Sequence, residues 1–319
     1  MTTGLAIGVD VGGTKTAAAL VDADGRVLER LRADTRGSDP AAVVDTVADL
    51  VGRLAAGREV VAVGVGAAGF VDAEGELVRF APHLAWRGEP LRETLAGRTG
   101  LPVRLENDAN AAAWAEWRFG AAAGESHVVF VALGTGIGGA LVLDGRVHRG
   151  RFGHAGEFGH TRVVPDGIAC DCGNRGCWEQ YASGRVLTRR GRRAAEEGGP
   201  LGQRLLEAAG GQVAAIEGAH VTAAARAGDP EAVGWFAELG EWLGVGVANL
   251  VAALDPGVVV IGGGLSEAGD LLVLPAREVF SRSLTGRGHR PEPNVVAADL
   301  GADAGVIGAA DLARAGLGS

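Results

Sequence analysis

The chain is short of several residue types, and each shortage narrows what it can be. Among 319 residues there is one lysine, Lys15, against 29 arginines, one methionine, one tyrosine and 5% aromatic residues in all. High-GC coding produces such an arginine bias, and it makes a lysine inside a motif conspicuous. Positive charge is scarce: the formal net charge is -9 and the pI near 5.3. The field that attracts proteins non-specifically to nucleic acid or anionic membranes is therefore missing. No apolar run reaches the roughly 18 residues of a membrane span, and MTTGLAIGVD lacks the basic start and apolar core of a signal peptide. A cytoplasmic protein with neither nucleic acid nor membrane as partner is expected. The three cysteines, Cys170, Cys172 and Cys177, are packed into eight positions, which fits metal binding in a reducing compartment better than a disulfide framework.

What is abundant is glycine, at 54 residues, more than double the usual share of about 7%. With 47% hydrophobic residues beside it, the composition is that of a globular chain with many tight turns. The length exceeds one ordinary domain and favours two lobes with a cleft.

The run HTRVVPDGIACDCGNRGCWE, from His160 to Glu179, holds every cysteine. His160, Cys170, Cys172 and Cys177 supply the four soft or borderline donors of a closed tetrahedral Zn²⁺ site. The run reads as a structural zinc knuckle. Glu157 and Glu179, at its borders, are not needed as ligands and are free to face something else. His83, His127, His148, His220 and His289 have no partner at metal spacing.

The pattern elsewhere alternates strands and helices, as in an α/β protein. Leu5 to Asp22 reads as strand, Gly/Thr turn and strand. Gly12, Gly13, Thr14 and Lys15 offer bare amides, a hydroxyl and an amine suited to phosphate oxygens, though an ordinary Gly-Gly hairpin fits the segment equally well. Asp10 could hold a hydrated Mg²⁺ or simply cap the turn. His127 to Leu133, the turn 134–139 and Ala140 to Asp144 repeat the arrangement. Two such cradles, the second built on Gly134, Thr135 and Gly136, imply a nucleotide polyphosphate held from both sides. Asn107 and Asp108 stand where a strand hands over to a helix, a usual place for catalytic groups, yet on local pattern a helix N-cap is the commoner role for Asp108. Val258 to Ile261 is a buried strand ending in Gly262, Gly263 and Gly264, more glycine than a turn requires. Helices are expected at 40–56, 91–98, 184–197, within 201–254, at 266–284 and at 302–315.

Taken together, DVGGTKT at 10–16, ENDAN at 106–110, GTGIGG at 134–139, AGEFGH at 155–160, CDCGNRGCWE at 170–179 and IGGG at 261–264 resemble the ROK family of repressors and sugar kinases, and within it the actinobacterial glucokinases. The resemblance covers nearly the whole chain. It implies a hexokinase/actin-like (ribonuclease H-like) fold of two α/β lobes: a small one, 1–119, to which a C-terminal helix, 302–316, returns, and a large one, 120–301, carrying the zinc loop and the oligomerisation surface. It implies ATP-dependent phosphorylation of glucose with ATP, Mg²⁺ and structural Zn²⁺. Asp108 would be the general base and Asn107, Asp108, Glu157, His160 and Glu179 the sugar-binding residues. Gly12 to Lys15, Gly134 to Gly136 and Gly262 to Gly264 would bind the nucleotide. A homodimer or homotetramer is usual in the family. Kinases for N-acetylglucosamine, N-acetylmannosamine or fructose share the motifs, and polyphosphate is an alternative donor. A ROK-type repressor or sugar sensor is the alternative of another class; such proteins carry an N-terminal winged helix, and with nine residues before Asp10 DNA binding is expected to need a further element, which disfavours that reading.

Overall fold

In the computed structural model, which describes residues 4–81 and 84–318, the opening alternation forms a hairpin. Strand β1 (Leu5–Val11) pairs with β2 (Lys15–Val21), and β3 (Val27–Asp34) extends the meander. Half-buried and exposed residues alternate along β3, as on a sheet edge wetted on one face. Helix α1 (Pro40–Ala55) begins where the Asp39 side chain accepts from the Ala42 amide, and Pro40 presets its first turn. Its stripe of Val43, Val44, Val47, Leu50, Val51 and Leu54 is buried at helical spacing. Strand β4 (Val60–Ala67) follows. A small antiparallel sheet, β5 (Phe70–Val71), β6 (Val78–Phe80) and β7 (Arg87–Glu89), was not foreseen, since strands of two or three residues carry too few alternations to register as a period. Then come α2 (Leu91–Thr99), β8 (Val103–Asn107) and α3 (Asp108–Phe119).

The first large sheet runs β3-β2-β1-β4-β8, with β1, β4 and β8 parallel. Register aligns Asp10 with Gly66 and Gly66 with Glu106, and one step further Val11, Ala67 and Asn107. Asp10 and the Glu106–Asp108 stretch therefore emerge at the same carboxyl edge, where open α/β sheets present ligand-binding groups.

The remaining strands are β9 (His127–Leu133), β10 (Ile137–Leu143), β11 (Arg146–Val147), β12 (Val258–Gly262) and β13 (Asn294–Ala297), in the order β11-β10-β9-β12-β13. Strand β10 starts at Ile137, earlier than the expected Ala140, because the turn closes within Gly134–Gly136 through the Gly134 amide and the Gly136 carbonyl. The helices are α4 (Glu179–Ala182), α5 (Gly184–Glu197), α6 (Pro200–Ala208), α7 (Gly218–Arg226), α8 (Pro230–Leu254), α9 (Asp270–Ser283) and α10 (Ala304–Ala315). The single helix expected over 266–284 is two pieces: a 3-10 turn, Gly264–Ala268, ends at Gly269 with φ 61°, and α9 starts afresh. By length and composition α8 could cross a membrane, yet half of its most apolar window is buried, and it packs on α9 and α4.

The chain divides into two compact units. The first comprises Met1–Val128, Ala140–Gly156 and Asp299–Ser319, and the second Val129–Gly139 and Glu157–Ala298. The crossings thus fall inside β9 and β10, after Gly156 and before Asp299. In the first unit α10 lies against β1 and β4. A Cβ on Gly8 would come within 1.8 Å of the Val306 carbonyl oxygen, and one on Gly64 within 1.8 Å of that of Ala309. Only glycines let the helix settle this close. The second unit is built on α8 and α9, with Trp178 fully buried against α8. His83 lies outside the described residues.

Candidate active site and metal cluster

In the first unit, the cap of α3 belongs to Asn107, whose side-chain oxygen accepts from the Asn110 amide at 3.1 Å. Asp108 is the first residue of the helix and does not cap it. The Asn107 amide donates to the Gly69 carbonyl (3.1 Å) and to Asp108 Oδ1 (3.0 Å), and Asp108 Oδ1 also accepts from the Ala109 amide (2.9 Å). Both amide protons of Asn107 are therefore engaged, and its oxygen keeps one lone pair for a ligand. Burial raises the Asp108 carboxyl above its usual range, while the Ala109 amide and the Asn107 side chain pull in the opposite direction. Burial first, and then the Asp108 carboxylate, push Asp10 from 3.8 up to about 7. A cation near these two acids would relieve their repulsion, so the donor set fits a hydrated Mg²⁺.

The first turn is less committed. The Gly12 amide donates to the Lys15 carbonyl, and the Thr14 carbonyl accepts from Thr35. The Lys15 amine is well exposed and pairs with Asp34 at 3.0 Å, so the one lysine is held beside the turn by a surface ion pair.

The second unit carries the other predicted residues. One ligand atom each from His160, Cys170, Cys172 and Cys177 falls within 4.8 Å of the other three. Cys170 Sγ lies 3.7 Å from His160 Nδ1, and Cys172 Sγ 3.6 Å from Cys177 Sγ. A tetrahedron with Zn–S bonds of about 2.3 Å has S···S edges of about 3.8 Å, so the spacing fits that ion. Burial and the neighbouring thiols push Cys177 up to about 12, a penalty that a bound cation would reverse. The loop is shaped by a bridge between Ala169 and Arg175, another between Arg162 and Cys177, and the Trp178 indole donating to the Trp242 carbonyl at 2.8 Å.

The two ring nitrogens of His160 face different groups: Nδ1 the Cys170 sulfur, and Nε2 the Glu157 carboxylate at 4.0 Å. Glu157 is exposed, but Glu179 is buried and touches the cluster directly, accepting from Cys170 Sγ at 3.2 Å. The same carboxylate lies under the second turn: a Cβ on Gly136 would be 2.5 Å from Glu179 Oε2. Glutamate 179 is thus not left over from the metal cluster but joins it to the turn. Helix α5 makes a second link. Its first amides, Gly184 and Arg185, donate to the Gly134 and Thr135 carbonyls, and the Arg185 side chain pairs with Asp171 of the cysteine loop.

The third glycine run is explained in part by packing. A Cβ on Gly262 would meet the Phe130 ring at 2.4 Å, and one on Gly263, with φ 81°, the Leu133 carbonyl oxygen at 2.4 Å. Among the described residues, chain neighbours aside, nothing lies within 4 Å of the equivalent point on Gly264, so it is the member of the run with space for a ligand.

The model of the ROK family matches residues 6–316. The chain belongs to the ROK family. It is similar to the glucokinase of Streptomyces coelicolor, 49% identical over 98% of each chain, and to that of Thermotoga maritima, 38% identical over 98% of each. Its fold is similar to the crystal structure of a ROK family glucokinase from Streptomyces griseus in complex with glucose and AMPPNP, with a TM-score of 0.90 and 49% identity, covering 98% of this chain and 100% of that one.

The ROK motifs did not reveal everything around Asp108. Glu106, 3% exposed, accepts from the Asn107 amide (3.1 Å) and the Asn110 side chain (2.9 Å) through Oε1, and from Arg149 Nε (2.8 Å) and Nη2 through Oε2. Glu106 and Asn110 lie inside the ENDAN string and could have been suspected. Nothing in the sequence pointed to Arg149.

Proposed function

We propose that the chain transfers the γ-phosphoryl group of ATP to glucose, with Asp108 taking the proton of the attacking hydroxyl. The observation that carries the reading is Asp108 itself: a carboxylate released from capping by Asn107, held by two hydrogen bonds to Oδ1 and raised by burial toward the working pH of a general base. The similarity to the Streptomyces glucokinases supports glucose as acceptor and ATP as donor.

In this reading Asn107, Glu157, His160 and Glu179 hold sugar hydroxyls. The turns at Gly12, Gly13, Thr14 and Lys15 and at Gly134, Thr135 and Gly136, with Gly262, Gly263 and Gly264, receive the nucleotide. Phosphoryl transfer depends on alignment and on stabilising spread negative charge, which amide-rich turns provide without proton chemistry of their own. Mg²⁺, when bound near Asp10, supplies charge neutralisation for the phosphates. Zn²⁺, when held by His160, Cys170, Cys172 and Cys177, fixes the loop so that Glu157, His160 and Glu179 keep one arrangement. ATP and reduced thiols coexist in the cytoplasm, where we place the protein at the entry to glycolysis, as a homodimer or homotetramer.

The test is ADP release by the purified chain with ATP and Mg²⁺ across glucose, fructose, N-acetylglucosamine and N-acetylmannosamine. Glucose is expected to give the highest kcat/KM. Release of ADP with none of the sugars would overturn the reading, and preference for an acetamido sugar would move it to that kinase.

A further inference from the structure

The carboxylate of Glu106 stands behind Asn107 and Asp108, and its partner comes from far along the chain. Strands β10 and β11 are joined by a two-residue turn at Asp144 and Gly145, both with positive φ (51° and 67°), the geometry that matches the twist of a hairpin. The hairpin delivers His148, whose amide donates to the Leu141 carbonyl, and then Arg149, whose carbonyl accepts from Ala155. The guanidinium reaches Glu106 Oε2 through both Nε and Nη2, so two charged donors converge on one oxygen and leave Oε1 for other partners.

The other oxygen, Oε1, then holds the Asn107 backbone amide and the Asn110 side chain. The Asn110 side chain gives its nitrogen to Oε1, which leaves Asn110 Oδ1 buried with no partner among the described residues. An orientation kept at that cost indicates that the network is imposed by Glu106. Asn107, held by its backbone, caps α3 and donates to Asp108 Oδ1.

We propose that Arg149 is a positioning residue for phosphoryl transfer, acting through Glu106 on Asn107 and so on the direction of the Asp108 carboxylate. The inference rests on the reading of Asp108 as the base. A displacement of about 1 Å at a reacting group can cost on the order of 10²-fold in rate, so the effect belongs in kcat. Arg104 also interacts electrostatically with Glu106. It therefore partly offsets that buried charge when Arg149 is replaced.

The experiment compares parent, Arg149→Ala, Arg149→Lys and Asp108→Asn by steady-state kinetics, melting temperature and rescue with millimolar ethylguanidinium. The Arg149 side chain is 21% exposed, enough for a small cation to enter the space it vacates. Expected for Arg149→Ala is a kcat about 10- to 100-fold lower with the ATP KM unchanged. Part of the loss should return with ethylguanidinium or with lysine, while Asp108→Asn gains nothing from the additive. A folded Arg149→Ala with the kcat of the parent overturns the proposal, as does a loss that neither lysine nor ethylguanidinium relieves. If Arg149→Ala does not fold, the neutral Arg149→Gln takes its place: a lowered kcat at parental ATP KM supports the proposal, and the parental kcat overturns it. An Asp108→Asn protein as active as the parent would instead remove the reading of the base.

Discussion

Asn107 caps the helix that Asp108 begins, and its side-chain amide also donates to Asp108 Oδ1 at 3.0 Å. The two neighbours divide tasks that sequence pattern alone would give to one residue. The capping oxygen satisfies the orphan amide of Asn110, which leaves the aspartate available for chemistry.

The Asp10 carboxyl, raised from 3.8 to about 7 by burial and by Asp108, makes folding pH-dependent when no cation is bound. The folded state favours its protonated form, so the group's relative contribution to stability is full below about pH 4 and is lost as pH rises through about 7. In EDTA, the stability difference between Asp10→Asn and parent should therefore shift toward the variant from pH 4 to 8. A difference that stays flat over that window would show that Asp10 titrates normally.

A Cβ on Gly136 would stand 2.5 Å from Glu179 Oε2, so the two cannot both keep their places. Gly136→Ala should push the Glu179 carboxylate aside and, if Glu179 holds a sugar hydroxyl as proposed, raise the glucose KM by about 10-fold or more, the value of one charge-assisted hydrogen bond. Zinc content, measured by atomic emission, should remain that of the parent. An unchanged glucose KM would remove Glu179 from the sugar.

The cysteine cluster predicts one zinc per chain. Cys177→Ser should lower that content and, since Trp178 follows directly and its indole is tied to α8, change the tryptophan emission. Active parent protein found free of zinc would contradict the assignment.

The approach of α10 to the sheet sets a stability prediction. Gly64→Ala places a methyl 1.8 Å from the Ala309 carbonyl oxygen, and overpacking of this kind costs about 1–3 kcal/mol. Urea denaturation should show the loss. A parental midpoint would mean that α10 is not seated as described.

Much of this was legible in the residues. Long elements announced themselves by period, as in α1 and β1, because burial on one face repeats often enough to be seen. The clustering of His160, Cys170, Cys172 and Cys177 was legible because their spacing is rare and their chemistry narrow. The small β5–β7 sheet was not, nor the break at Gly269, which a continuous helical pattern hides. Local pattern also favoured Asp108 as the cap, since Asp and Asn are near-equal caps and only the backbone shows which one has non-helical φ and ψ. Arg149 was invisible for another reason: its partner lies 43 residues earlier, and a long-range ion pair leaves no local mark.

The central claim is that Asp108 is the base, and the most direct measurement is sugar-dependent ADP release by Asp108→Asn at saturating ATP and glucose, with glucose affinity followed by calorimetry. The account predicts a rate lower by about 10²- to 10⁴-fold, the usual value of a general base, with glucose still bound. Equal sugar-dependent rates for variant and parent would contradict it.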